Sequence, residues 1–266
     1  MAEGAYSDCH KKSSKTVSKQ PRELTATRQK TFRNGTDLAA MRLAVRQRTA
    51  CASPLLGSVR RMRVAALQLD VTHSMEHNIQ RASSLIDEAA ADGAAVVALP
   101  ECFTGKYGVD HFAKWGESLV PEPDLGGGAA MMRERAAHHG IVVSGGVIEQ
   151  REGCLFNTIA VYGPSGELAL YRKVHLSRVL GITSESDVLT AGTMPTTFQV
   201  PQTSMRVGML CCFDLRFRDL LAQYGPASGP HGPCDILCAP SAFLRATGTE
   251  HWDLVRLAGM LVPQAH

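Results

Sequence analysis

Three side chains with complementary chemistry stand at the ends of apolar runs: Glu101 in LPECF, Lys173 in YRKVHL and Cys212 in GMLCCFDLRF. A carboxylate, an amine and a thiol together meet the needs of covalent acyl transfer. The thiol attacks as its thiolate, and a nearby cation favours that form. A carboxylate takes and returns protons, worth roughly 10²–10⁴ in rate. A fixed cation or amide stabilises a tetrahedral oxyanion, and losing one such donor costs about 10²–10³. Taken one at a time, Glu101 reads as a capping or surface carboxylate, Lys173 as an exposed lysine and Cys212 as a core thiol. The covalent reading rests on their convergence. No local cysteine-protease signature accompanies a triad histidine, which argues against a Cys–His protease.

The paired cysteines pose their own question. Side chains alternate between faces along a strand, so Cys211 and Cys212 are expected to do different jobs, with only one of them facing a given pocket.

Elements that could position these groups follow in a regular order from Met62. VAALQLDV and the continuous apolar run AAVVALPE read as strands. Between them Ile79, Ala82, Leu85, Ile86 and Ala89 recur at helical spacing, closed by Gly93. A helix over 127–139 precedes the strand GIVVSGGVIE. LFNTIAVYGPSGELALYRKVHL reads as a hairpin about Gly-Pro-Ser-Gly. MRVGMLCCF and CDILCAPSAF read as strands joined by the helix RFRDLLAQYG, and HWDLVRLAGMLV opens a last helix. Alternating strands and helices with one hairpin predict an α/β or layered α+β fold, in which strand ends are where ligands bind.

Composition narrows the function classes. Of 266 residues, 44% are apolar, enough for a substantial core. Residues 1–61 hold 13 Lys/Arg against 4 Asp/Glu, whereas residues 62–266 hold 15 against 21. The acidic body gives no reason to expect nucleic-acid binding. No run approaches the ~18 apolar residues of a membrane span. Residues 1–40 are polar and read as disordered. The Arg-rich, acid-free stretch from Met41 has the look of a mitochondrial transit peptide, with an internal start at Met41 or Met62 as the alternative. The eight scattered cysteines suit a reducing compartment. Cys234 and Cys238 form a C-x3-C with no second ligand pair at zinc spacing, so they read as core thiols and no metal site is expected.

LPECF, YRKVHL and GMLCCFDLRF resemble the three catalytic motifs of the nitrilase (carbon–nitrogen hydrolase) superfamily. The likeness takes in SGGVIE, LFNTIAVYGPSGE and PSAFLRATGTEHWDL, and runs from about Met62 to Leu257. It implies an α-β-β-α sandwich. It assigns Cys212 as nucleophile, Glu101 as general base, Lys173 as oxyanion-stabilising lysine and Glu185 as a further glutamate that positions lysine and substrate. The backbone N–H of Phe213 is the implied second oxyanion donor. Cys211 takes a position usually apolar, so its side chain is expected in the packed face. Arg216 is a candidate for a substrate carboxylate, with pairing to Asp214 as the favoured role. His175 and Trp252 are expected to serve packing.

LPECFTGKYGVDHFAKWGESL is similar to the omega-amidase branch, and PSAF is more like the sister branch that acts on deaminated glutathione. The resemblance implies hydrolysis of a small carboxylate-bearing amide with release of ammonia, without metal or organic cofactor. Its partners would be the amide and water, with no nucleic acid and no membrane. The complete parent protein would be a homodimer, cytoplasmic or alternatively mitochondrial. Relatives continue beyond Leu257 with further strands. The expected organisation is therefore a basic extension over 1–61 and a hydrolase domain over 62–266 that lacks the family's last strands. A reading of another class follows: a truncated, inactive chain acting only as an interaction partner.

Overall fold

Two β-sheets lie face to face, with helices on the outer side of each, in the computed structural model, which describes residues 43–44, 62–120, 126–179, 183–225, 231–243 and 248–253. The larger sheet has the order β1 (Leu43–Ala44), β2 (Arg63–Ala66), β3 (Val96–Ala98), β5 (Val142–Arg151), β6 (Cys154–Gly163) and β7 (Gly166–Arg172); β4 (Gly116–Glu117) also pairs with β5. β2, β3 and β5 are parallel, and β5, β6 and β7 form an antiparallel meander. A two-stranded ribbon joins β8 (Arg178–Val179) and β9 (Thr183–Ser184). The smaller sheet is β10 (Thr196–Gln199), β11 (Arg206–Met209) and β12 (Ile236–Cys238).

The period of two along each strand builds the layers. Val97, Val143, Val147, Ala160 and Tyr162 face one way, onto Ala82 and Ile86 of α1 (Met75–Ala91) and Met132 and Ala136 of α2 (Gly128–His139). Their neighbours Val96, Val142, Ile159 and Val161 face the other way, onto Phe198, Val207 and Met209 of the smaller sheet. Beyond that sheet, Leu210 packs with Leu220, Leu221 and Tyr224 of the α3 (Arg218–Ala222) region. Each buried aliphatic or Phe side chain of this kind contributes about 1.5–3 kcal/mol. The order helix, sheet, sheet, helix is the predicted α-β-β-α sandwich.

α1 begins at Ser74, whose Oγ accepts from His77 N, and ends before Gly93, whose φ of +79° suits glycine. The one polar residue on its buried face, Asn78, donates to the carbonyls of Thr72 and Thr104. The helix is thereby tied to the loop that follows Glu101.

Several sequence expectations are corrected by the structure. β11 stops at Met209, so the strand does not extend through the cysteine pair. β10 was unforeseen, as was the tight turn at Glu152–Gly153 (φ +52° and +77°) that makes β5 and β6 a second hairpin. The expectations for residues 1–61 lie outside the described residues, except that Leu43–Ala44 pairs antiparallel with β2. Residues 248–253 are helical as predicted, and those beyond lie outside the described residues. Among the described residues, no helix is long and apolar enough to cross a membrane.

Candidate active site

Glu101 sits where β3 runs out against β5. Gly146 N donates to the Pro100 carbonyl, and Phe103 N donates to the Gly146 carbonyl. A Cβ on Gly146 would stand 2.7 Å from Glu101 Cα and 2.8 Å from Cys102 N, so only glycine lets the loop lie this close. Cys102 then turns the chain with a φ of +53°. Lys173 follows directly on β7, its N–H bonded to the Asn157 carbonyl of β6. Arg172 is committed elsewhere, donating Nε and a terminal nitrogen to Glu149 at 2.8 and 2.6 Å. That leaves Lys173 as the cation that enters the site.

The Lys173 Nζ donates to Glu101 Oε1 at 2.9 Å and lies 2.9 Å from Glu185 Oε2, with all three side chains fully out of solvent. Asn157 Nδ2 bridges the two carboxylates, at 2.8 Å from Glu101 Oε1 and 3.1 Å from Glu185 Oε1. Glu185 opens a 3₁₀ turn and accepts from Ser177 N at 2.5 Å. Glu101 Oε2 accepts from Ala242 N at 2.7 Å. Two carboxylates thus share one ammonium, and amide donors from Asn157, Ser177 and Ala242 take up most of the remaining lone pairs, as a buried ionic cluster requires.

Burial alone would raise the Glu101 carboxyl, but Lys173, with the Ala242 and Asn157 donors, brings it below its ordinary value. Burial works against the Lys173 ammonium, yet the anionic groups led by Glu101 hold it well above its ordinary value. The pair rests ionised.

Cys212 has a φ of +45° and opens a 3₁₀ turn, Cys212–Arg216, with its N–H bonded to the Pro240 carbonyl. A left-handed backbone at a non-glycine residue costs about 1–2 kcal/mol and is a common feature of reactive sites. Burial, then the neighbouring Glu101 carboxylate, push the Cys212 thiol well up against the opposing pull of Lys173. At rest it is a neutral thiol beside an ionised carboxylate. The Phe213 N–H, next along the turn, meets no acceptor among the described residues.

Cys211 lies in the packed core as expected, but the expectation that only one of the two cysteines faces the pocket is overturned. The Cys211 Sγ lies 3.3 Å from Glu101 Oε1 and 3.7 Å from Asn157 Oδ1, fully buried. Strand alternation does not apply because β11 has already ended, and the positive φ at Cys212 swings the second thiol back toward the same carboxylate.

Asp214 does not pair with Arg216. Its Oδ2 accepts from Tyr171 Oη at 2.6 Å and Cys211 N at 3.0 Å; its Oδ1 accepts from His175 N at 2.8 Å and lies 3.0 Å from His175 Nδ1. Arg216 is exposed, above Phe213 (4.8 Å to the ring centre) and within 5.7 Å of the Phe243 ring centre. It is an exposed cation beside Phe243, the residue after Ala242. His175 stacks flat on Phe217 at 3.6 Å, which fits a packing role, whereas Trp252 meets Phe243 edge-on at 5.2 Å but stays exposed. Cys234 donates to the His231 carbonyl while Cys238 stands by Ser144 Oγ, so the two thiols of the C-x3-C have separate surroundings.

Asn157, Tyr171 and the Ala242 amide escaped the sequence reading. Asn157 carried the clearest signal: an amide in the middle of the apolar run LFNTIAV, at a position that turns out wholly buried.

The family model for carbon-nitrogen hydrolases matches residues 63–261. Omega-amidase NIT2 of Homo sapiens is 38% identical over 200 residues, covering 73% of this chain and 68% of the relative. The chloroplastic omega-amidase of Arabidopsis thaliana is 38% identical over 202 residues, covering 73% and 53%. Among solved structures, Nit3 of Saccharomyces cerevisiae, a member of branch 10 of the nitrilase superfamily, aligns with a TM-score of 0.61 at 26% identity, covering 74% of this chain and 70% of that one.

Proposed function

The chain belongs to the carbon–nitrogen hydrolase family of the nitrilase superfamily, and from that premise we propose that it hydrolyses the terminal amide of a small carboxylate-bearing substrate through a Cys212 thioester. Glu101 takes the thiol proton as sulfur attacks the amide carbon. Because the thiol rests neutral, deprotonation and attack belong together, and the carboxylate beside it is the acceptor. The Lys173 ammonium and the Phe213 N–H receive the oxyanion. Ammonia leaves with the proton held by Glu101. Water, deprotonated by Glu101, then releases the carboxylic acid. Glu185 keeps Lys173 aimed. Nucleophile, base and oxyanion donors are all supplied by the chain, so this route calls on no metal or organic cofactor.

The observation that carries the reading is the buried contact of Lys173 with both Glu101 and Glu185 beside the Cys212 turn. The carboxylate-bearing substrate class follows the omega-amidase relatives and the rim position of Arg216. The partners proposed are this amide and water, with assembly as a homodimer.

Ammonia release compared across succinamate, alpha-ketoglutaramate, acetamide and deaminated glutathione tests the proposal. Preference for the two short dicarboxylic monoamides supports it. Preference for deaminated glutathione moves the chain to the sister branch, and turnover of acetamide alone removes the role for a rim cation. Silence on all four favours a non-catalytic chain.

A further inference from the structure

Tyr171 and His175 flank Lys173 two residues to either side, and both end on one carboxylate. Tyr171 Oη donates to Asp214 Oδ2 at 2.6 Å. The His175 N–H donates to Asp214 Oδ1 at 2.8 Å, with its ring Nδ1 3.0 Å from the same oxygen. Asp214 also closes the nucleophile turn on itself. Its Oδ2 accepts from Cys211 N at 3.0 Å, and its own N–H donates to the Cys211 carbonyl at 3.0 Å. Cys212, at its φ of +45°, and Phe213 lie inside that closed ring. We infer that Asp214 is a positioning residue for the reaction: its carboxylate clamps the segment around Lys173 to the nucleophile turn, and so sets where the oxyanion cation stands relative to the Cys212 sulfur and the Phe213 N–H.

The inference rests on the reading of Lys173 and the Phe213 N–H as oxyanion donors to a Cys212 adduct. The two donors come from different layers. Lys173 follows β7 of the larger sheet, whereas Phe213 follows β11 of the smaller one. Between the layers, Ile159 and Val161 meet Phe198, Val207 and Met209, an apolar contact that holds the sheets together without direction. Hydrogen bonds do have direction, and those on Asp214 lie wholly out of solvent. The bonds of Lys173 Nζ to Glu101 and Glu185 aim the ammonium; the bonds of Asp214 hold its segment against the turn that carries the sulfur. Burial, then Asp214, push the Tyr171 phenol well up, so it stays a donor.

The test compares Tyr171→Phe with Tyr224→Phe in the full chain. Each deletes one buried phenol, but Tyr224 Oη donates to the Met209 carbonyl and ties nothing to the Lys173 segment. The probe is succinic semialdehyde. The Cys212 sulfur bonds to its aldehyde carbon, and the thiol proton ends on the former carbonyl oxygen, giving a thiohemiacetal whose oxygen lies where the oxyanion forms. Succinate, which makes no such bond, reads ground-state binding alone. Tyr171→Phe should lower kcat for succinamate about 10-fold and weaken the aldehyde by a similar factor, with KM and the succinate Ki within about twofold of the parent. Asp214→Asn, which keeps the shape but turns one acceptor into a donor, should lose more of both. Tyr224→Phe should lower the melting temperature yet keep kcat and aldehyde affinity within about twofold. Aldehyde affinity is read both from inhibition and from the thermal shift it produces. Tyr171→Phe with unmoved kcat and aldehyde affinity, an equal loss of succinate and aldehyde, or a Tyr224→Phe that loses as much as Tyr171→Phe overturns the inference. An aldehyde shift that survives in full in Cys212→Ala instead overturns the reading of Cys212 as nucleophile.

Discussion

Lys173 and Glu185 are twelve residues apart and meet in full burial, with Nζ 2.9 Å from Oε2. The same ammonium holds Glu101 at 2.9 Å on its other side, so Glu185 works on the chemistry at one remove. Glu185→Gln keeps the shape but removes one charge from Lys173. Its kcat should fall by about 10²-fold as the oxyanion cation loses its fixed position, with KM less affected. Steady-state kinetics check this, and a denaturant melt should show a loss of about 1–3 kcal/mol.

Asp214 and Arg216 separate cleanly by role. Asp214 gathers Tyr171, His175 and the Cys211 amide on one buried carboxylate. Asp214→Ala leaves these donors unpaired and should cost about 3–5 kcal/mol in a urea melt. Arg216 is exposed above the half-buried Phe213 and Phe243 rings, and Arg216→Ala should stay within about 0.5 kcal/mol of the parent. It should instead raise KM for succinamate while leaving KM for an uncharged amide alone.

Gly146 is where β5 accepts the Glu101 loop. Gly146→Ala would force its new Cβ into Glu101 Cα at 2.7 Å, a backbone atom that cannot swing aside. Displacement of the base by even ~1 Å can cost about 10² in rate. The expected result is an inactive protein whose melting temperature falls by several degrees, read by ammonia release and by thermal melt.

Glu117 sets a pH dependence of stability. Burial raises its carboxyl from 4.5 to about 7, opposed by the amides of Ala129 and Gly128, and its Oε1 has no partner. Between these two values the folded state holds a proton that the unfolded chain releases. Stability therefore declines as pH rises from about 4.5 through about 7, and levels above that. Glu117→Gln should erase this slope. Relative to the parent, the variant should gain stability at pH 8 over pH 5, on the order of 3 kcal/mol, measured by urea melts at the two pH values.

How much of this was legible varies residue by residue. The layers followed from periodicity, because strands buried on both faces leave runs such as AAVVALPE and a helix leaves its 3–4 spacing. Glu101 and Lys173 were visible as charged residues closing such runs. Glu185 was not visible in that way: it stands in a short turn with no pattern of its own, and only the resemblance pointed to it. Cys211 was misjudged because alternation was carried two residues past the end of β11, where a left-handed residue changes the direction of the chain. Asp214 was misassigned to Arg216, its sequence neighbour, when its partners come from β7 and the segment after it. Such long-range hydrogen bonds leave no local signature.

The most direct test is the initial rate of ammonia release from succinamate by the parent chain, Cys212→Ala and Cys211→Ala. The account predicts that the parent releases ammonia, that Cys211→Ala retains most of the rate at neutral pH, and that Cys212→Ala falls to background. Turnover that survives in Cys212→Ala, or that vanishes in a folded Cys211→Ala alone, would contradict the assignment of Cys212 as nucleophile.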